Sequence, residues 1–134
     1  MRNPDWQIKL GATIAAATKR PFLCGVHDCC LFAADCAVVV CGIDPAEKYR
    51  GKYLTPLEAR KALLKNKHKS IDGVIDAYFK EIPVALAQRG DLVVVDTEQG
   101  RAAGVIWGLG VWVTTPEGVR CIQQKPDRAW RVEA

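Results

Sequence analysis

Histidine is nearly absent from this sequence, with two in 134 residues, His27 and His68. A mechanism that needs an imidazole base therefore has only these two to draw on. The sequence also has no apolar stretch long enough to cross a bilayer as a helix, and no run of basic residues interleaved with aromatics. The first absence argues against a membrane-spanning segment, and the second leaves no nucleic-acid footprint. Lys65-Asn66-Lys67-His68-Lys69 is short and reads as a solvated surface loop, with His68 a bystander in it. The first residues, with Arg2, Asp5 and Lys9, are too polar for a secretory signal, so synthesis in a reducing cytoplasm is expected. There is no internal repeat, linker or low-complexity segment, and residues 1–134 are expected to form one domain. A net charge of +4 permits an acidic partner without requiring one.

Cysteine is what the chain has in quantity. Five of six, Cys24, Cys29, Cys30, Cys36 and Cys41, fall in one short segment, and Cys121 stands apart. Extracellular disulfide frameworks scatter their cysteines among loops, and this chain does not. The segment 22–35 reads as a loop that turns through Gly25 and enters a helix. Asp28 is a good N-cap, because its carboxylate can accept from the free backbone N–H groups that follow. Cys29 then lies in the first turn, where the positive end of the helix dipole favours thiolate over thiol. The helix is expected over 29–40, with Gly42 closing it. Its body is so apolar that Cys30, Cys36 and Cys41 read as core residues. Cys24-x-x-His27-x-Cys29-Cys30 also offers soft metal ligands at short spacing. A structural zinc site, however, usually draws a second ligand pair from another segment, and only Cys121 remains, so no metal or other cofactor is expected.

Asp35 falls inside this apolar helix. Either it pairs with a basic group, for which Arg50 is the candidate, or it faces water. An earlier helix is expected from Asn3 as cap and Pro4 at the first position, ending near Lys19-Arg20 before Pro21. Thr55-Pro56-Leu57-Glu58 opens a third helix that runs to about Lys65. Ser70-Ile71-Asp72-Gly73 opens a fourth that carries Ile71, Val74, Ile75, Tyr78 and Phe79 on helical spacing and ends at Ile82-Pro83. Beyond Gln88 come five short β-rich runs, at 91–95, 103–107, 111–115, 118–122 and 129–132. They are punctuated by turns such as Glu98-Gln99-Gly100 and Gly108-Leu109-Gly110. The expected class is α+β, with N-terminal helices and a buried cysteine helix packed on a C-terminal antiparallel sheet.

Three stretches carry a resemblance. Phe22-Leu23-Cys24-Gly25 through Asp28-Cys29 resembles the approach and nucleophile motif of the NlpC-type branch of papain-like cysteine peptidases. Arg89-Gly90-Asp91-Leu92-Val93-Val94 resembles that family's "pGDLVff" strand, and the stretch from Gly104 to Gly110 resembles its "HVGIYxGxG" hairpin. With Tyr49-Arg50-Gly51 and Ala129-Trp130-Arg131, the chain also resembles an uncharacterised NlpC-like family common in phages and prophages, often among tail genes. The resemblance implies a papain-like fold, Cys29 as nucleophile, and wall peptides or phage tail proteins as partners, with association to the virion.

One departure bears on function. The family's catalytic histidine comes two residues before the glycine of its hairpin, and that position here is Ala102. The third, orienting polar residue falls at Thr114. His27, two residues from Cys29, either serves as a substitute base or fixes the loop through backbone bonds. Two functions stay open: a degenerate hydrolase kept as a binding or assembly module, or a thiol hydrolase that cleaves peptidoglycan amides with Cys29 and His27. Trp107 and Trp112 could line a sugar-binding groove or belong to the core.

Overall fold

The computed structural model describes residues 1–68, 70–98 and 100–134. The most apolar segment becomes the central helix, α2 (Cys29–Cys41). Leu31, Phe32, Ala33, Ala34, Cys36, Ala37, Val40 and Cys41 are all buried, as expected for a helix apolar on nearly every side. Asp28 caps it by accepting from the Leu31 amide at 2.9 Å, and Gly42 ends it in the left-handed region at φ 83°. The first helix, α1 (Trp6–Ala17), buries Leu10, Ile14 and Ala17 along one stripe that shares the main core with α2. It is shorter than expected at both ends. Asn3 does not cap it: its side-chain amide donates to the Val39 carbonyl and its backbone N–H to Val40, so the N-terminal segment is tied to the end of α2.

Helix α3 (Pro56–Lys65) starts as expected, with the Thr55 hydroxyl accepting from the Glu58 amide at 3.1 Å. Helix α4 (Ile71–Asp76) also starts as expected at Ser70 but stops early. The residues read as its C-terminal end instead form a strand, β1 (Lys80–Ile82), followed by a short 3-10 turn at Val84–Leu86. The helical spacing of Tyr78 and Phe79 hid this strand: Phe79 is buried in the core just before it, and β1 gains its stability from pairing.

The five strands expected beyond Gln88 are β2 (Leu92–Thr97), β3 (Gly100–Trp107), β4 (Gly110–Thr115), β5 (Gly118–Ile122) and β6 (Arg128–Arg131). With β1 they form a six-stranded sheet in the order β1-β6-β2-β3-β4-β5, with every pairing antiparallel. The turn expected at Glu98-Gln99-Gly100 includes Gln99, and the basic stretch at 65–69 includes Lys69; both residues lie outside the described ones. The architecture is thus α+β. One face of the sheet, through Leu92, Val94, Ala103, Val105, Val119 and Trp130, shares a core with α1 and α2. The other gathers Val93, Val95, Ala102, Val111, Val113 and Ala129.

Ion pairs fasten the helices to this sheet. Asp72 of α4 accepts from Arg101 of β3 at 2.7 and 2.8 Å and from Arg128 of β6 at 2.9 Å. The Asp91 side chain, wholly buried, accepts from Arg2, from Arg131 and from the Gln88 and Val132 amides. Both ends of the chain are thereby fixed beside the start of β2. Trp107 lies edge-on to Trp6 with ring centres 6.4 Å apart, and Trp112 donates to the Trp107 carbonyl at 3.0 Å. Both tryptophans pack on the core, which favours their structural reading.

Candidate functional site

The loop before α2 is built by backbone bonds. Leu23 and His27 form a tight bridge, the Leu23 carbonyl accepting from the amides of Val26 and His27 at 3.0 and 2.7 Å. Gly25 sits in this turn at φ 84°, and a Cβ there would lie 1.9 Å from the Tyr53 carbonyl oxygen, so only glycine fits. Asp28 then gathers three hydrogen bonds. Its carboxylate accepts from the amides of Leu31 and Gly25 at 2.9 Å each, and from the Tyr53 hydroxyl at 2.6 Å. A carboxylate so occupied is a structural anchor of the turn. Tyr53, which the sequence reading did not single out, is held protonated by burial and by this carboxylate.

Cys29 emerges from this anchor in the first turn of α2, as expected, and is partly exposed. It meets the sheet where β3 changes partner. Strand β3 pairs with β2 from Val105 to Gly100, but with β4 only from Val105 to Trp107. Among the described residues, 100–104 of β3 therefore have no strand partner on the β4 side. Gly104 permits the close approach of β4, since a Cβ would lie 2.7 Å from a Val113 methyl and 2.8 Å from the Trp112 carbonyl oxygen. Cys29 packs against the cluster of Val93, Val95, Ala102, Val111, Val113 and Ala129.

The hydrogen-bond partner of the Cys29 sulfur is the thiol of Cys30, with the two Sγ atoms 3.8 Å apart. That neighbouring thiol lowers the Cys29 pKa more than any other group, and backbone groups of Ala103 and Cys30 act the same way. Burial and the Asp28 charge oppose them, and the balance lies below the ordinary thiol value. Cys30 moves the other way. Its hydrogen bond with Cys29 raises its pKa most and burial adds to this, the side chain bordering an apolar cavity of about 70 Å³ lined also by Tyr49, Tyr53, Leu63 and Ile71. The two thiols thus share one hydrogen bond, in which either sulfur can donate. Cys30, read as a core residue, is half-buried against this apolar cavity and also meets the Cys29 sulfur. Cys36 and Cys41 are buried as expected, and burial raises their pKa values, as it does that of Cys24.

No imidazole shares the site. His27 is 1% exposed, its ring lies edge-on to Phe32, and neither ring nitrogen has a hydrogen-bond partner among the described residues. It does not bond the Cys29 sulfur, and the backbone of Ala17 is a polar group that favours its charged form. Burial lowers its pKa most, and Arg20 adds to the shift. His68 is not a free bystander: its Nδ1 pairs with the Tyr49 hydroxyl, away from Cys29. Ala102 is buried in β3, and Thr114 is buried in β4 with its hydroxyl unpartnered among the described residues. Asp35 does pair with Arg50, at 2.8 Å, and lies 3.9 Å from Arg20. Arg50 also donates to Asp44, a second acceptor the sequence did not suggest. Among the described residues no three His, Cys, Asp or Glu side chains converge as metal ligands.

The fold and this site define an α+β protein with a cysteine poised at the start of a buried helix. The chain belongs to the family described as a domain of unknown function, DUF6950, which matches residues 1–132. No curated protein matches the sequence.

Proposed function

We propose that this chain is an NlpC-like, papain-type protein of phage or prophage origin that has kept the nucleophile position and given up hydrolysis, serving as a binding or assembly module in tail assembly or at the host wall. One observation carries the reading. The Cys29 sulfur has a thiol as its hydrogen-bond partner, while alanine occupies the position of the family's histidine. Amide cleavage needs a group that takes a proton and returns it to the leaving amine, and acid–base help of that kind is worth about 10²–10⁴-fold in rate. Neither the Cys30 thiol nor the occupied Asp28 carboxylate can do this.

Digestion of purified peptidoglycan by wild type, Cys29→Ala and His27→Ala tests the reading. The expected result is no release of wall peptides by any of the three. Release by wild type that is lost in both variants would make the chain a thiol hydrolase with His27 as its base.

A further inference from the structure

The arginines and lysines of this chain are partnered unequally. Arg50, Arg101, Arg128 and Arg131 take up the acidic side chains around them in close ion pairs. Lys48, Lys52, Lys61 and Lys65 have no carboxylate partner among the described residues, and all four line one surface groove of about 390 Å³ between α3 and the connection that precedes it. The acidic residue of that lining, Glu58, is already engaged. Its carboxylate accepts from the Leu54 amide and the Thr55 hydroxyl at 3.3 Å each, closing the cap of α3. We propose that this groove binds an anion made of two or more linked phosphate groups. The inference is independent of the Cys29 site and of the reading drawn from it.

The charge of the groove is uncompensated within the fold. Four lysines against one glutamate leave the lining three positive charges in excess, in a chain whose net charge is +4. Like charges gathered in one concavity repel, and Lys61 and Lys65 stand at the i,i+4 spacing where like charges weaken a helix. The dipole at the C-terminal end of α3 offsets this for Lys65 in the last turn, and does not serve the other three. A multivalent anion replaces the repulsion with charge-assisted hydrogen bonds, each ammonium bringing three donors.

The lining also selects the kind of anion. No arginine is among the lining residues, so the groove offers no planar fork to match a carboxylate in two places. Lysine heads are compact point charges that can meet phosphate oxygens from several directions. No aromatic side chain lines the groove either, so nothing there can stack a nucleic-acid base. The groove volume is about a dozen times the roughly 30 Å³ that a water occupies in the liquid, which leaves room for more than one phosphate.

Titration calorimetry with sodium tripolyphosphate at low ionic strength tests this. Wild type, Lys52→Gln, Lys61→Gln and the double variant are compared with Lys19→Gln and Lys80→Gln, two exposed lysines outside the groove. Thermal melting of each variant without ligand checks the fold. The expected result is one site per chain, with affinity several-fold weaker in Lys52→Gln and in Lys61→Gln, weaker still in the double variant, and unchanged in the two controls. Absence of binding to wild type would overturn the proposal. Equal losses in the control variants would do the same, because they would reduce the effect to a general attraction to a basic protein. Polyglutamate or single-stranded DNA of matched charge, bound by wild type as tightly as tripolyphosphate, would overturn the assignment to linked phosphates.

Discussion

The Tyr53 hydroxyl donates to the Asp28 carboxylate at 2.6 Å, linking the segment before α3 to the cap of α2. This bond, with those from Gly25 and Leu31, fixes the turn that delivers Cys29. Tyr53→Phe should cost about 1.5–3 kcal/mol, the range for a hydrogen bond to a charged group. Asp28→Ala should cost more, because it removes the cap and leaves buried donors unpaired. Urea denaturation of both variants measures this. An Asp28→Ala loss no larger than that of Tyr53→Phe would mean the carboxylate is not the anchor described.

Asp91 ties both chain ends to β2 from a wholly buried position. Removing one partner of a buried charge pair costs about 3–5 kcal/mol, because the remaining charges are left uncompensated. Asp91→Ala should therefore lower stability by an amount in that range, read from the denaturation midpoint. A loss below about 1 kcal/mol would mean that Arg2 and Arg131 find equivalent solvation without it.

Asp35 and Arg50 form a close pair in which each side chain remains about one-third exposed, at 29% and 34%. Solvent screening limits such a pair to roughly 0.2–1 kcal/mol. Asp35→Asn should thus lower thermal stability by a small, salt-sensitive amount. No change at low salt would mean the pair is fully solvated.

His27 carries a pH prediction. Its folded-state pKa lies below the unfolded value because burial, then Arg20, disfavours the charged ring. The unfolded chain therefore binds the proton more readily. The stability His27 contributes is fully present above about pH 6.5 and is lost as pH falls from there through the folded value. Because its ring nitrogens have no close hydrogen-bond partner among the described residues, His27→Leu should cost little at pH 8 and flatten this slope. Denaturation midpoints from about pH 8 to pH 5 check it. An unchanged slope in His27→Leu would assign the acid sensitivity to other groups.

Much of this arrangement was readable in the residues. The Asp28 cap, the apolar body of α2 and the Gly42 stop are local signals, and local signals fix a helix of this kind. The five C-terminal strands followed from their β-rich runs and turn residues. Strand β1 was not readable, because three residues are stable as a strand only through pairing with β6. The Tyr53–Asp28 bond spans 25 positions, and nothing in Lys52-Tyr53-Leu54 marks it. The contact of the Cys29 and Cys30 sulfurs was not readable, because periodicity along a helix tells burial and not the direction of one side chain in its first turn. The fate of His27 depended in the same way on where Phe32 lies.

The central claim is that Cys29 is poised by its surroundings alone, without an imidazole. The most direct measurement is the pH dependence of its iodoacetamide labelling rate, mapped by mass spectrometry in wild type and in His27→Leu. Cys29 should label fastest of the six thiols, with a midpoint below the ordinary thiol value of about 8.5 and the same profile in both proteins. A Cys29 profile that shifts upward when His27 is removed, or a midpoint at or above the ordinary value, would contradict it.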